Sequence, residues 1–188
     1  MSKYLFGHIA ALLTIFIWGT TFISTKILLV GFKPIEILFF RFLIGLIALL
    51  IIYPKRLKKT TKDQEITFAL AGLCGVTLYF LLENIALTYS MASNIGVIIS
   101  IAPFFTAILS DFVLKEKSLK SNFIIGFIAA MMGIALISFN GTSNFKLNPI
   151  GDVLALLAAL VWAIYSVLTK KISEYGYNTI QVTRRIFI

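Results

Sequence analysis

The sequence has few groups that could carry covalent, metal or redox chemistry. It contains one cysteine, Cys74, and one histidine, His8. A single cysteine excludes an internal disulfide, and a single histidine excludes a multi-histidine metal site. Charged residues make up only 13% of the 188 residues, against about a quarter in a typical soluble domain. These shortages argue against an ordinary soluble enzyme, and we expect neither a metal nor a cofactor.

Long hydrophobic runs fill most of the chain. Hydrophobic residues account for 59% of the sequence, and the mean hydropathy is +0.96. A helix needs roughly 20 apolar residues to cross the hydrocarbon core of a bilayer. Six stretches qualify: Ile9 to Leu29, Ile35 to Tyr53, Ile66 to Leu87, Ala92 to Leu114, Phe123 to Phe139 and Val153 to Thr169. The sequence therefore predicts an all-α polytopic membrane bundle with six transmembrane helices, embedded in the lipid bilayer of the cell membrane.

The basic residues lie between the hydrophobic runs. Seventeen Lys and Arg against eight Asp and Glu give a formal net charge of +9. They do not gather on one solvated face, so we expect no nucleic acid partner. Alternate connections hold most of them: Lys3, then Lys55, Arg56, Lys58, Lys59 and Lys62, then Lys115, Lys117 and Lys120, then Lys170 and Lys171. Because short basic loops stay inside the cell, the N-terminus is predicted to be cytoplasmic and the loops around Phe32, Ser90 and Asn144 external.

The sixth span repeats the first at a constant offset of 144 positions. The most telling matches are Gly7 with Gly151, Trp18 with Trp162, Thr25 with Thr169, Lys26 with Lys170 and, in the following span, Arg41 with Arg185. The second copy comes five helices after the first, and an odd number reverses its direction in the membrane. Such inverted repeats form carriers in which one midplane site opens alternately to either side.

Several short motifs follow one another in a recognisable order: Trp18-Gly19 followed by Lys26, Arg41-Phe42, Ala86 to Tyr89, Pro103, Leu114-Lys115-Glu116, Gly151-Asp152 and Trp162-Ala163. In this order and spacing the chain resembles the EamA-type family of the drug/metabolite transporter superfamily. The resemblance implies a carrier of ten helices in two inverted halves that moves small metabolites or drugs outward.

This chain holds six such spans. Residues 1–140 are then the first five-helix repeat, and residues 141–188 begin the second. The seventh helix would enter the bilayer at the final residues. We expect four further spans to be needed for a complete carrier, and no solute movement by the 188-residue chain alone unless it forms a homodimer.

Three ionisable residues fall at a similar depth in the spans. Lys26, Arg41 and Glu83 all lie in the outer third, where an unpaired charge costs a few kcal/mol or more. Arg41 and Glu83 are predicted to pair, either as a static link between the second and third spans or as an outer gate or a pair that contacts the solute. Exchanging the two charges should then recover much of the stability that either reversal loses. Lys26 either joins that gate or extends its ammonium group to the interface.

Other polar and aromatic residues in the spans are candidates for solute binding or gating. Trp18 and Trp162 fall at mid-depth, although tryptophan normally prefers the interface, which favours a place in a cavity wall. Pro103 predicts a kink that serves as a hinge or binding element. Ordinary interhelical bonding is the alternative explanation for the remaining polar candidates, which are Thr21, Tyr79, Asn84 and Asn94.

Small residues recur every four positions in two spans. Ala155, Ala159 and Ala163 form such a stripe in the sixth span, and Ala129 with Gly133 forms one in the fifth. Both patterns predict close packing against a neighbouring helix.

The function predicted from the sequence is a membrane carrier that exports a small solute by alternating access without hydrolysing nucleotide. No Walker-type phosphate loop occurs in the sequence. The alternatives are a non-transporting fragment, a scaffold, or a subunit that must oligomerise. A membrane-embedded enzyme is less favoured, because few acidic residues and one histidine are available for catalysis. The solute, the coupling ion and the direction of transport are left open.

Overall fold

The computed structural model describes residues 3–57, 59–139 and 148–188. Over these ranges the chain forms seven helices: α1 (Lys3–Leu28), α2 (Pro34–Ile52), α3 (Lys62–Tyr89), α4 (Ala92–Leu114), α5 (Ser121–Phe139), α6 (Pro149–Ser173) and α7 (Thr179–Ile186). Helices α1, α2, α3, α4 and α6 are long and apolar enough to cross a membrane, and α5 is a shorter apolar helix. The predicted all-α polytopic bundle is confirmed. The predicted external loop around Asn144 lies outside the described residues.

Polar residues fix where several helices begin. Helix α2 starts at Pro34, and the Glu36 carboxylate accepts a hydrogen bond from the Lys33 backbone N–H at 2.7 Å. Helix α6 starts after Asn148, whose side-chain oxygen accepts from the Gly151 N–H at 3.2 Å. These contacts satisfy N–H groups that have no partner within the helix, so each begins at a defined residue.

Helix α6 lies at the centre of the bundle and packs against both α3 and α4. Ala155, Ala159 and Ala163 are completely buried there, which confirms the close packing predicted for this stripe. The matching prediction for α5 is wrong within the described chain. Ala129 is exposed, and a Cβ atom added at Gly133 would meet nothing within 4 Å.

Helix α3 contains a π-helical turn at Leu73–Leu78, which nothing in the sequence analysis anticipated. A Cβ atom at Gly75 would lie 2.3 Å from the ring of Tyr165 on α6, so only glycine allows the two helices to approach this closely. Gly72, just before the turn, fits in the same way against the Ile186 backbone carbonyl of α7. Two neighbouring helices therefore pack directly onto the α3 backbone around the π-helical turn.

Helix α4 is broken near its middle, as Pro103 predicts. Its first half ends at Ile99, and its second half begins at Ala102 with the proline in the first turn. Proline donates no backbone hydrogen bond, so the two halves are joined less rigidly than a continuous helix.

Helices α1 and α6 run in opposite directions. The last turn of α1 reaches the end of α3 through Lys26, and the start of α6 reaches the same end through a hydrogen bond of 3.0 Å from the Asn148 side chain to the Tyr89 carbonyl. We call this the Lys26 end of the bundle. The opposite end, where α6 finishes, is the Lys170 end. An inverted repeat requires this antiparallel course of its two first helices, and the repeat itself stays a prediction.

The final residues form α7, a helix of eight residues at the Lys170 end. Arg184 is buried and donates hydrogen bonds to the Tyr53 carbonyl at 2.8 Å and the Lys55 carbonyl at 2.6 Å. Arg185 forms an ion pair with Glu65 on α3. Helix α7 therefore holds the connection between α2 and α3 in place.

Candidate functional site

A cavity of about 450 Å³ lies between α4, α5 and α6 towards the Lys170 end. Its walls combine small hydroxyl side chains, two aromatic rings and one residue of each charge. The ten lining residues are Pro103, Thr106, Ala107, Ser110, Glu116, Ser118, Phe123, Trp162, Ser166 and Lys170. Hydroxyl groups and charges grouped within an otherwise apolar bundle are what a site for a small polar solute requires.

Helical spacing brings these residues onto one wall. Trp162, Ser166 and Lys170 follow one another at intervals of four along α6, so they share one face. On α4, Pro103 is followed by Thr106 and Ser110 at intervals of three and four, which gives a second such face. The sequence analysis singled out the proline and the tryptophan but missed the hydroxyl residues. Their spacing was a signal that could have been used.

Two of the four hydroxyl groups that line the cavity donate their protons to the helix backbone. Thr106 donates to the Ala102 carbonyl at 2.8 Å, and Ser166 donates to the Trp162 carbonyl at 2.8 Å. At the same end, the Lys170 ammonium forms an ion pair with the Glu116 carboxylate at 2.5 Å. This pair ties the end of α6 to the segment that follows α4.

The two tryptophans that the predicted repeat aligns are in contact with each other. The ring centroids of Trp18 and Trp162 are 5.4 Å apart with nearly perpendicular planes. Trp162 also packs against Tyr79 at 4.7 Å and Tyr165 at 5.2 Å. Of the two candidates, only Trp162 lines the cavity, while Trp18 supports it from the side of α1 and keeps 51% of its surface exposed. Tyr79 is a buried neighbour of the cavity residue Trp162.

A second group of polar residues lies nearer the Lys26 end. The Lys26 ammonium donates to the Leu87 carbonyl and, at 2.8 Å, to the Ser90 carbonyl. Leu87 lies in the last turn of α3 and Ser90 is the residue that follows it, and at this end of a helix carbonyl groups have no partner within the helix and a positive charge is favourable. Lys26 therefore acts as a cap for α3, which neither of its two predicted roles included.

The predicted ion pair between Arg41 and Glu83 is wrong. Within the described chain the ion pairs are Lys170 with Glu116 and Arg185 with Glu65. Arg41 instead donates to the Thr25 hydroxyl at 2.7 Å and lies over the Phe80 ring, 5.1 Å from its centroid. Glu83 is 2% exposed and accepts a hydrogen bond from Tyr79. Arg41 and Glu83 are predicted to lie at the same depth, but each has a different partner, Thr25 for Arg41 and Tyr79 for Glu83.

Comparison with known proteins identifies the family of the chain. The model of the EamA-like transporter family matches residues 5–139. The chain belongs to this family.

Relatives of this EamA-like protein include three uncharacterized transporters. One from Clostridium kluyveri is 34% identical over 182 residues, which cover 90% of this chain and 58% of the relative. Two from Archaeoglobus fulgidus are 33% and 29% identical over 178 residues, which cover 94% and 92% of this chain and 61% of each relative. The chain thus spans about 60% of the length of these relatives. No solved structure matches it.

The remaining candidates of the EamA-like chain lie apart from the cavity. Thr21 donates to the Trp18 carbonyl of its own helix at 2.7 Å. Asn84 is fully buried and donates to the Pro34 carbonyl at 3.2 Å, while its side-chain oxygen has no hydrogen-bond partner in the described chain. Asn94 is buried in the first half of α4. The structure therefore gathers Pro103 and Trp162 at the cavity and places these three elsewhere.

Replacing Lys26 with methionine should destabilise this EamA-like fold. The substitution keeps a long apolar side chain but removes two charge-assisted hydrogen bonds to α3, and we expect a loss of about 1.5–3 kcal/mol in the free energy of unfolding. Equilibrium unfolding in mixed detergent micelles measures this loss of free energy. Lys33→Met, an exposed lysine near the same end, is the matched control and should change the value little. Equal losses in the two variants would contradict the capping role.

Proposed function

We propose that this protein is a secondary carrier that moves a small solute outward across the cell membrane by alternating access, without hydrolysing nucleotide. Membership of the EamA-like transporter family supports transport in general. The observation that carries the finer proposal is the open cavity between α4, α5 and α6, where hydroxyl groups, aromatic rings and a partly exposed ion pair meet beside apolar helices. The activity of a whole carrier is part of the proposal, because the chain spans about 60% of its relatives.

Two features of the cavity wall support alternating access. The break at Pro103 lets the second half of α4 tilt against the first half, and this second half carries Thr106 and Ser110. The ion pair between Lys170 and Glu116 is partly exposed, and such pairs contribute only about 0–1 kcal/mol. It can therefore open and close within a transport cycle. In this mechanism the solute enters near the ion pair, and tilting at the proline closes that entrance.

Two other functions are alternatives to the carrier. A subunit or scaffold role agrees with the wide apolar surface of α1 and α2, on which a second copy of the chain could pack. A membrane-embedded enzyme would need several catalytic groups at one site, and the cavity offers one carboxylate and one amine. A transport measurement must therefore distinguish the carrier from the subunit or scaffold.

Transport by the 188-residue chain in proteoliposomes tests the proposal. Liposomes loaded with a mixture of labelled small metabolites are compared with protein-free liposomes, without ATP and at several protein-to-lipid ratios. Saturable loss of a solute supports the carrier, and a steep dependence on the ratio indicates that two copies act together. Ser166→Phe, which fills the cavity, should abolish the flux, whereas Ile164→Phe on the exposed face of α6 should not. Absence of saturable flux at every ratio from folded protein favours the scaffold.

The proposed orientation places the Lys170 end in the cytoplasm. Single cysteines introduced into the 55–62 loop and the 141–148 loop, with Cys74 replaced by serine, are treated in intact cells with a thiol reagent that cannot cross the membrane. We expect the second loop alone to react, because basic loops stay inside. Labelling of the first loop would reverse the orientation.

A further inference from the structure

We propose that the cavity between α4 and α6 binds a small organic ammonium compound with an apolar body, and that Lys170 occupies the ammonium position when no solute is present. The inference rests on the proposed function for its physiological role, and it names the substrate class of the same site. Three features of the wall carry it.

Two of the four hydroxyl groups of the wall favour a solute that donates hydrogen bonds. A hydroxyl has one proton, and those of Thr106 and Ser166 are already given to the Ala102 and Trp162 carbonyls. Their oxygen atoms can still accept. A carboxylate or phosphate group of a solute would find no proton at these two positions, whereas an ammonium group would find two acceptors.

The carboxylate of Glu116 already binds an ammonium group. Among the ten lining residues it is the one acid and Lys170 is the one base, and the two are joined at 2.5 Å. The lysine therefore shows that the carboxylate can hold an ammonium group. Both side chains keep a third or more of their surface exposed, so a solute can reach the carboxylate and replace the lysine.

The aromatic residues favour a cation with an apolar body. Trp162 and Phe123 both line the cavity, and a cation is attracted to the face of an aromatic ring, most strongly to that of tryptophan. The rings also provide apolar contact area for the rest of the solute. A solute bound to Glu116 would release the end of α6 from the segment after α4, which links occupation of the cavity to the opening of its entrance.

Binding of three matched probes to the purified chain tests this inference without requiring transport. The probes are 2-phenylethylamine, 2-phenylethanol and 3-phenylpropanoate, which differ mainly in the charge of one end. The sequence has two tryptophans, so in a Trp18→Phe background the fluorescence comes from Trp162 in the cavity wall. We expect saturable binding of the amine, at least about tenfold tighter than the alcohol, and no saturable binding of the acid.

Two substitutions should change amine binding in opposite directions. Glu116→Gln removes the carboxylate and should weaken it about tenfold, whereas Lys170→Gln removes the competing ammonium group and should strengthen it several-fold. A purely structural ion pair would weaken binding in both variants. Glu174→Gln and Lys171→Gln change neighbouring charges that do not line the cavity and should leave the affinity unchanged. If Glu116→Gln does not fold, the gain in Lys170→Gln still decides the question.

Equal binding of all three probes, tightest binding of the acid, or weaker amine binding in Lys170→Gln would overturn the inference. Amine binding as expected, from a chain that moves no solute in proteoliposomes, would support the binding site and count against the proposed transport function. Saturable transport by a chain that binds the amine no better than the other probes would support the proposed transport function and contradict the ammonium site.

Discussion

Exchanging the charges of Arg41 and Glu83 should recover less than half of the stability that the two single reversals lose. The Glu83 reversal disturbs a buried ionisable group, and we expect it to cost about 3–5 kcal/mol, whereas the Arg41 reversal disturbs a half-buried group and should cost less. The exchange cannot restore a direct contact, because the two side chains do not form one. It also puts the larger arginine side chain at a position that is 2% exposed and removes the guanidinium group from the Phe80 ring. The free energies of unfolding of the four proteins in detergent measure the effect.

A second mutant cycle serves as the control for this result. Arg41→Gln and Thr25→Val remove the two sides of the observed hydrogen bond. Residues in contact show interaction energies of roughly 0.5–3 kcal/mol in such cycles, so we expect the losses of these two substitutions to be clearly non-additive. Recovery of nearly full stability by the charge exchange, together with additive losses at Arg41 and Thr25, would show that Arg41 pairs with Glu83 after all.

Replacing Gly75 with alanine should be among the most damaging small changes in the protein. The new methyl group would lie 2.3 Å from the Tyr165 ring, which packs in turn against Trp162. The ring has to move, and overpacking of this kind typically costs about 1–3 kcal/mol. We expect a lower free energy of unfolding together with a changed fluorescence of Trp162, because the displaced ring is its neighbour.

Gly126→Ala on α5 is the matched control for Gly75. A Cβ atom there meets nothing within 4 Å, and alanine is favoured over glycine in a helix by about 0.5–1 kcal/mol. This variant should be at least as stable as the parent. Equal destabilisation by the two substitutions would show that the contact between α3 and α6 does not determine the result.

The positions of the helices could be predicted because length and hydrophobicity alone define a span. The predicted spans coincide with α1 to α6 to within a few residues at most ends, and the fourth matches Ala92–Leu114 at both. The π-helical turn in α3 gave no such signal. It occurs where Tyr165 of α6 and Ile186 of α7 pack onto two glycines of α3. Contacts between distant parts of the chain are not visible in a local sequence pattern.

The candidate site was predicted in part, for a related reason. Counting residues along a helix gives depth, and it predicts comparable levels for Lys26, Arg41 and Glu83. It does not give the rotation of one helix against another, and successive residues differ by about 100° around the axis. The rotation of α2 about its axis determines that Arg41 contacts Thr25. The cavity residues Thr106 and Ser166 could have been found, because their spacing relative to Pro103 and Trp162 places each on the same face.

Accessibility of Ser166 to water tests the central claim, that the wall between α4 and α6 forms a solute site entered from the Lys170 end. Ser166→Cys and Ile164→Cys, each with Cys74 replaced by serine, are treated in inside-out vesicles with a thiol reagent that cannot cross the bilayer. The account predicts rapid modification of Ser166→Cys, slowed by 2-phenylethylamine. It predicts little modification of Ile164→Cys, because Ile164 lies on an apolar face of α6 that would contact lipid and not water. Failure of Ser166→Cys to react from either side of the membrane, in protein that remains folded, would contradict it.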